Sequence, residues 1–126
     1  MSGTVKCFED LQAWQCARIL VREIYTLTNA AAFYKDIALR EQIRRAAISV
    51  MLNIAEGFGR RTDKEFRHFL IQAHGSATEI QSALYIALDQ AYIAQADFDS
   101  LYAATEKLSK MIMNLAKYLD KPKTKS

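Results

Sequence analysis

Over residues 9–28 the apolar side chains Leu11, Trp14, Ala17, Leu20, Val21, Ile24 and Leu27 recur every three or four positions, separated by Gln12, Gln15, Arg22, Glu23 and Thr26. That period places the apolar set on one face of an amphipathic helix. A short connection is expected over residues 29–36. A second helix is predicted over 39–56, where Leu39, Ile43, Ala46, Val50 and Ile54 form one stripe and Ile48, Met51, Leu52 and Ala55 a second beside it. Residues 46–55 are apolar nearly all round, broken only by Ser49 and Asn53. A helix of that kind is buried on more than one side. In so short a chain the extra side is expected to meet another subunit.

Gly57 is expected to supply the left-handed residue that closes this helix. Thr62-Asp63-Lys64-Glu65 then spells a capping box. A third helix, predicted over 63–91, carries Phe66, Leu70, Ala73, Ala77, Ile80, Leu84, Ala87 and Ala91 in alternating steps of four and three, the spacing of a coiled-coil seam. Within it Ala73, Gly75, Ser76 and Ala77 predict a narrow waist that a facing helix can approach. The fourth helix, over 96–120, has Phe98, Leu101, Thr105, Leu108, Ile112, Leu115 and Leu119 as its seam, and Asp97 and Asp99 complement its first-turn dipole. A basic tail occupies 121–126. Short links force antiparallel neighbours, so the expected fold is all-α: an antiparallel up-down-up-down four-helix bundle, one domain over residues 1–126.

Composition narrows the class further. With 51% hydrophobic and 25% charged residues, four glycines and one proline in 126 positions, the chain is neither disordered nor a repetitive fibre. No uncharged run approaches the ~18 residues of a membrane span, and the first ten residues lack the apolar segment of a signal peptide. A soluble cytoplasmic protein is expected. The two cysteines, Cys7 and Cys16, are expected to pack as small apolar groups. A net charge of +3 permits an acidic partner without demanding one.

Candidate chemistry is sparse. Glu65 and His68 match half of the paired Glu-x-x-His pattern of di-iron bundles, but Ile71 stands where the glutamate preceding His74 would have to be. No metal or other cofactor is therefore expected. Gly57-Phe58-Gly59-Arg60 lacks the preceding strand and third glycine of a dinucleotide site, and no serine or threonine has a histidine at motif spacing. An enzyme is not expected. Arg60, Arg61, Lys64 and Arg67 surround the predicted start of the third helix, whose free amides favour anions. Arg40 and Arg44 form a second basic group. These six are the candidate phosphate contacts, weighed against the plainer reading of ion pairs on a solvated face. Gln42, Arg45, Ser49, Asn53 and Glu56 form a polar line across the apolar part of the second helix. They are expected to hydrogen-bond to a neighbouring helix or subunit and set its register. Candidate subunit contacts are Ile48, Met51, Leu52 and Ala55, together with Tyr85, Leu88 and Tyr92 as aromatic-rich anchors.

Several segments together resemble a known family. Phe8-Glu9-Asp10-Leu11 with Trp14, Leu39-Arg40-Glu41-Gln42-Ile43-Arg44-Arg45-Ala46-Ala47, and Asn53-Ile54-Ala55-Glu56-Gly57-Phe58-Gly59-Arg60 are similar to the bacterial four-helix bundle proteins encoded in 23S rRNA intervening sequences. Asp63-Lys64-Glu65-Phe66, Gly75-Ser76 and Tyr92-Ile93 extend the likeness over roughly residues 8–119. One departure stands out: Met51-Leu52 occupies the place where that family commonly has Pro-Ser, so this helix is expected to be straighter. The resemblance implies an antiparallel bundle assembled into a ring-like homopentamer, with no catalytic residues to carry across. A related branch, the accessory proteins of diversity-generating retroelements, implies basic assemblies that bind reverse transcriptase and nucleic acid. The expected function is a non-enzymatic oligomer that binds RNA, DNA or a ribonucleoprotein. The alternative is a protein-interaction scaffold, such as a reverse-transcriptase accessory protein, with no direct nucleic-acid role.

Overall fold

The computed structural model describes residues 5–120; the basic tail over 121–126 lies outside them. A 3-10 turn (Phe8–Asp10) leads into α1 (Gln12–Thr28), a five-residue α2 (Ala31–Lys35), α3 (Ile37–Phe58), α4 (Asp63–Asp89) and α5 (Gln95–Asp120). Among the described residues there is no strand, and no helix is long and apolar enough to cross a membrane. The four long helices pack in cyclic order α1, α3, α4, α5. The α3–α4 and α4–α5 seams are the most extensive and the α1–α5 seam the least. Consecutive long helices run antiparallel, with the α2 corner and the α4–α5 link at one end and the α3–α4 link at the other.

The apolar stripes meet along the bundle axis. Leu20, Ile24, Ile43, Val50, Ile54, Leu70, Ile80, Leu84, Leu108 and Ile112 are all buried. The two fully buried threonines satisfy their hydroxyls locally, as a buried polar group must. Thr28 Oγ1 donates to Ile24 O at 2.8 Å, and Thr105 Oγ1 donates to Leu101 O at 2.7 Å.

The boundaries differ from those the sequence predicts for identifiable reasons. Leu11 is extended, with φ −73° and ψ 125°, so α1 starts at Gln12 and residues 8–10 form a separate turn. The expected plain connection over 29–36 contains α2, which delivers Phe33 fully into the core. Asp36 sets the start of α3 at Ile37, two residues early, because its Oδ1 accepts from Leu39 N at 3.1 Å. Thr62 caps α4 as expected, its Oγ1 accepting from Glu65 N at 3.1 Å.

Both interior glycines play other parts than expected. Gly57 is not left-handed; it lies inside α3, which continues to Phe58. A Cβ there would stand 2.8 Å from Phe69 Cβ and 2.9 Å from Phe66 Cδ1. Its hydrogen therefore sets how closely α3 and α4 approach. Gly75 does not form a waist: it is exposed, and a Cβ on it would meet nothing within 4 Å. Ala73, Ser76 and Ala77 supply the small buried positions instead.

The left-handed residue is Ala91, at φ 60°, beyond the end of α4 rather than in its seam. Tyr92 N donates to Ala87 O at 2.9 Å and Ala91 N to Leu88 O at 3.0 Å, the paired bonds of a Schellman cap. The cap aims Tyr92 at the opposite corner. Its hydroxyl donates to Asp36 Oδ2 at 2.9 Å, and its ring lies 5.4 Å from that of Phe33. One carboxylate thus starts α3 and ties the two connections at this end together.

Denaturant melts of three substitutions check this reading. Gly57→Ala should destabilise by about 1–2 kcal/mol through overpacking against α4. Gly75→Ala and Ala91→Gly should each stabilise by about 0.5–1 kcal/mol, the first by helix propensity and the second by relieving the left-handed alanine. A separate expectation follows from Tyr92, whose hydrogen bond to Asp36, followed by burial, raises its pKa above the ordinary 10.0. The bond's contribution is complete below pH 10.0 and is lost as pH rises through the raised value. The stability difference between wild type and Tyr92→Phe should therefore close in alkaline melts and stay constant from neutral pH to mildly basic pH.

Candidate nucleic-acid interface

The six candidate phosphate contacts separate into two groups at opposite ends of α3. The twenty residues between Arg40 and Arg60 span about 30 Å at helical rise. They cannot act as one patch on a single protomer.

At the α1–α3 corner the two arginines are largely committed within the fold. Arg40 keeps only 15% of its side chain exposed. Its Nη1 donates to Tyr34 O at 2.8 Å, its Nη2 lies 3.5 Å from Glu41 Oε2, and its guanidinium carbon sits 4.2 Å from the Tyr34 ring centroid. The Arg40 Nε is buried with no hydrogen-bond partner among the described residues. Arg44 donates from Nε to Thr28 Oγ1 at 2.8 Å and from Nη2 to Asn29 Oδ1 at 2.9 Å. Its guanidinium carbon stands 4.4 Å from the Tyr25 centroid and 5.9 Å from that of Tyr34. This cation sits at the carboxyl end of α1, where the helix dipole favours it.

The other end is more open. Arg60 pairs with Glu56 at 2.6 Å and lies 4.7 Å from the Phe69 ring centroid. Arg67 stands 3.7 Å from Asp120 at the close of α5. Both pairs are at the surface, where an ion pair contributes little and can exchange for another anion. Arg61 and Lys64 are exposed and form no ion pair among the described residues. Asp63 and Glu65 occupy the first turn of α4 and already complement its dipole. The attraction for an anion here accordingly rests on the cationic side chains more than on the helix end.

The polar line on α3 divides. Ser49 Oγ and Ser76 Oγ are 2.8 Å apart, a hydrogen bond between α3 and α4. Asn53 Nδ2 donates to Ser49 O at 2.9 Å and to Ser49 Oγ at 3.0 Å. Gln42 and Arg45 are exposed, and Glu56 turns to Arg60. Arg45, Ser49, Asn53 and Glu56 border a shallow surface groove of about 300 Å³ shared with Ile48 and Leu52.

The candidate subunit contacts lie in three places. Ile48, Met51 and Ala55 are half-buried along α3, beside a 60% exposed Leu52. Tyr85 is exposed at the α4–α5 seam, its ring 4.8 Å from Phe98 and 5.8 Å from Tyr102. Leu88 is half-buried near the end of α4, and Tyr92 is engaged with Asp36 and Phe33 at the bundle end. Cys7 and Cys16 are free thiols. Among the described residues no three His, Cys, Asp or Glu side chains converge as metal ligands.

Several partners in these contacts escape sequence reading. Tyr25, Thr28 and Asn29 meet Arg44 across the α1–α3 corner, and Asp120 meets Arg67 from the far end of the chain. Tyr34 was accessible in principle, since it lies six positions before Arg40 in a link short enough to fold back on it.

A family model described as 23S rRNA-intervening sequence protein matches residues 9–114. No curated protein matches the chain. Among solved structures, the chain is similar to a protein of unknown function from the S23 ribosomal protein family of Bacteroides thetaiotaomicron VPI-5482, with a TM-score of 0.76 and 20% sequence identity. The alignment covers 83% of this chain and 98% of that one. At that identity the likeness concerns the fold.

Proposed function

The chain belongs to the 23S rRNA-intervening sequence protein family, and from that premise we propose that it is a non-enzymatic cytoplasmic homo-oligomer that binds RNA or a ribonucleoprotein. The observation that carries the reading is the pair Arg61 and Lys64, exposed and without an ion-pair partner among the described residues, beside the exchangeable Arg60–Glu56 pair. Each protomer carries +3, so a pentamer carries +15. Repeated around a ring, these cations form a field strong enough to hold a polyanion.

A ring assembly fits the distribution of apolar surface. Leu52 and Tyr85 lie on different faces of the protomer. A closed ring joins two unlike patches head to tail, whereas a two-fold dimer joins one patch to itself. The exposed Tyr85 favours the second reading, a scaffold that docks a protein such as a reverse transcriptase.

Two measurements test these proposals. Light scattering at micromolar concentration should give an oligomer, with five subunits expected; a clean monomer removes both the ring and the charge argument. A salt titration of RNA binding should then compare wild type with Arg61→Ala/Lys64→Ala. Removing one cation from a phosphate flattens the slope of log K against log salt by about 0.7–0.9, so the double variant should flatten it by about 1.4–1.8. Its affinity should fall alike for all RNA sequences, because phosphate contacts carry no base information. An unchanged slope with intact circular dichroism would select the scaffold.

A further inference from the structure

At the α1–α3 corner each of two arginines lies against one tyrosine, Arg44 on Tyr25 and Arg40 on Tyr34. The guanidinium carbon of Arg44 is 4.4 Å from the Tyr25 centroid and 5.9 Å from the Tyr34 centroid, and that of Arg40 is 4.2 Å from Tyr34. Both cations are pinned, Arg44 by Thr28 and Asn29 and Arg40 by the Tyr34 carbonyl. The rings resting on them are nonetheless open: Tyr25 is 37% and Tyr34 48% exposed. A surface tyrosine usually turns with its own rotamer; these two are fixed in place by charged supports held from beneath.

We infer that Tyr25 and Tyr34 form a stacking platform for unpaired nucleic-acid bases, about 30 Å along α3 from the phosphate-binding loop. The inference rests on the RNA-binding reading and adds a second, chemically different contact to it. A flat ring backed by a guanidinium presents its outer face to another π system, and the fixed cation strengthens the contact when water leaves. Bases inside a duplex are already stacked, so the platform selects single-stranded segments over paired ones. The acids nearby are occupied: Asp36 accepts from Leu39 N and the Tyr92 hydroxyl, and Glu41 sits against Arg40. Lys35 is exposed on the same short connection and offers a phosphate contact for the strand that carries the stacked bases.

Fluorescence anisotropy with a short mixed-sequence single-stranded RNA, and with a blunt-ended RNA duplex, separates this platform from the phosphate site. Tyr25→Leu/Tyr34→Leu keeps apolar bulk and removes the π faces. It should weaken single-stranded binding by roughly 30-fold or more, leave duplex binding unchanged, and leave the salt slope as in wild type. Tyr25→Phe/Tyr34→Phe should bind as wild type does. In the unmodified protein, 2-aminopurine placed in the single strand should be quenched on binding, a readout that depends on no variant. If wild type binds single-stranded RNA but shows no quenching, or the folded leucine variant retains full affinity, the platform is overturned and the phosphate site stands. Equal weakening for duplex and single strand also overturns it, because charge rather than stacking has then changed. If wild type binds neither RNA, the RNA-binding reading falls and the platform with it.

Discussion

The close approach of α3 and α4 is the constraint to which the remaining helices adapt. At one end it is set by the missing Cβ of Gly57, which admits Phe66 and Phe69. In the middle it is held by Ala46, Ala47, Ala73, Ser76 and Ala77, all buried. A hydrogen bond between Ser49 and Ser76 crosses the same seam. Small residues let two backbones come near enough for the larger side chains on either flank to interlock, and dense packing makes that spacing costly to change. Because α4 is then fixed on α3, the Schellman cap at its end carries Tyr92 to Asp36, and α2 is clasped beneath it. The location of Arg60, Arg61 and Lys64 follows from the same geometry, since the tight seam brings α3 and α4 together at the loop that bears them.

Legibility in the sequence tracks how many residues each signal engages. The steps of four and three from Leu70 to Ala87 are readable because a helical face repeats them, and every residue of that run is buried. The five residues of α2 make barely more than one turn, too few to show a period, so the helix that buries Phe33 is hidden in its connection. Glycine has two uses, and sequence does not separate them. Gly57 reads as a helix stop and is a spacer; Gly75 reads as a spacer and faces open space. Ala91 adopts the left-handed turn that a glycine signals, and without the glycine the turn has no mark.

For the candidate site, the residue types were legible and their commitments were not. A run of arginines gives the sign of a surface but not which guanidiniums are already held. Arg44 is spent on Thr28 and Asn29, whereas Arg61 has no ion pair among the described residues, and nothing in the local sequence distinguishes them. The difference comes from which helix end lies opposite, a tertiary fact. The polar line behaves similarly. Ser49 finds its partner on α4, while Gln42, on the same helix, remains at the surface.

The unequal seams bear on how the chain reaches this arrangement. Three of the four seams between long helices join consecutive ones, across the links at 29–36, 59–62 and 90–94, and each closes as a helical hairpin. Such local closures cost little chain entropy and form early. The fourth, between α1 and α5, brings Leu20 and Leu108 to the walls of one shallow groove from distant parts of the sequence, and it is the least extensive. Contact order in this protein is therefore low except along that line. With α1 already held on α3 by its own hairpin, the seam left to close the bundle is the one between its first and last long helices.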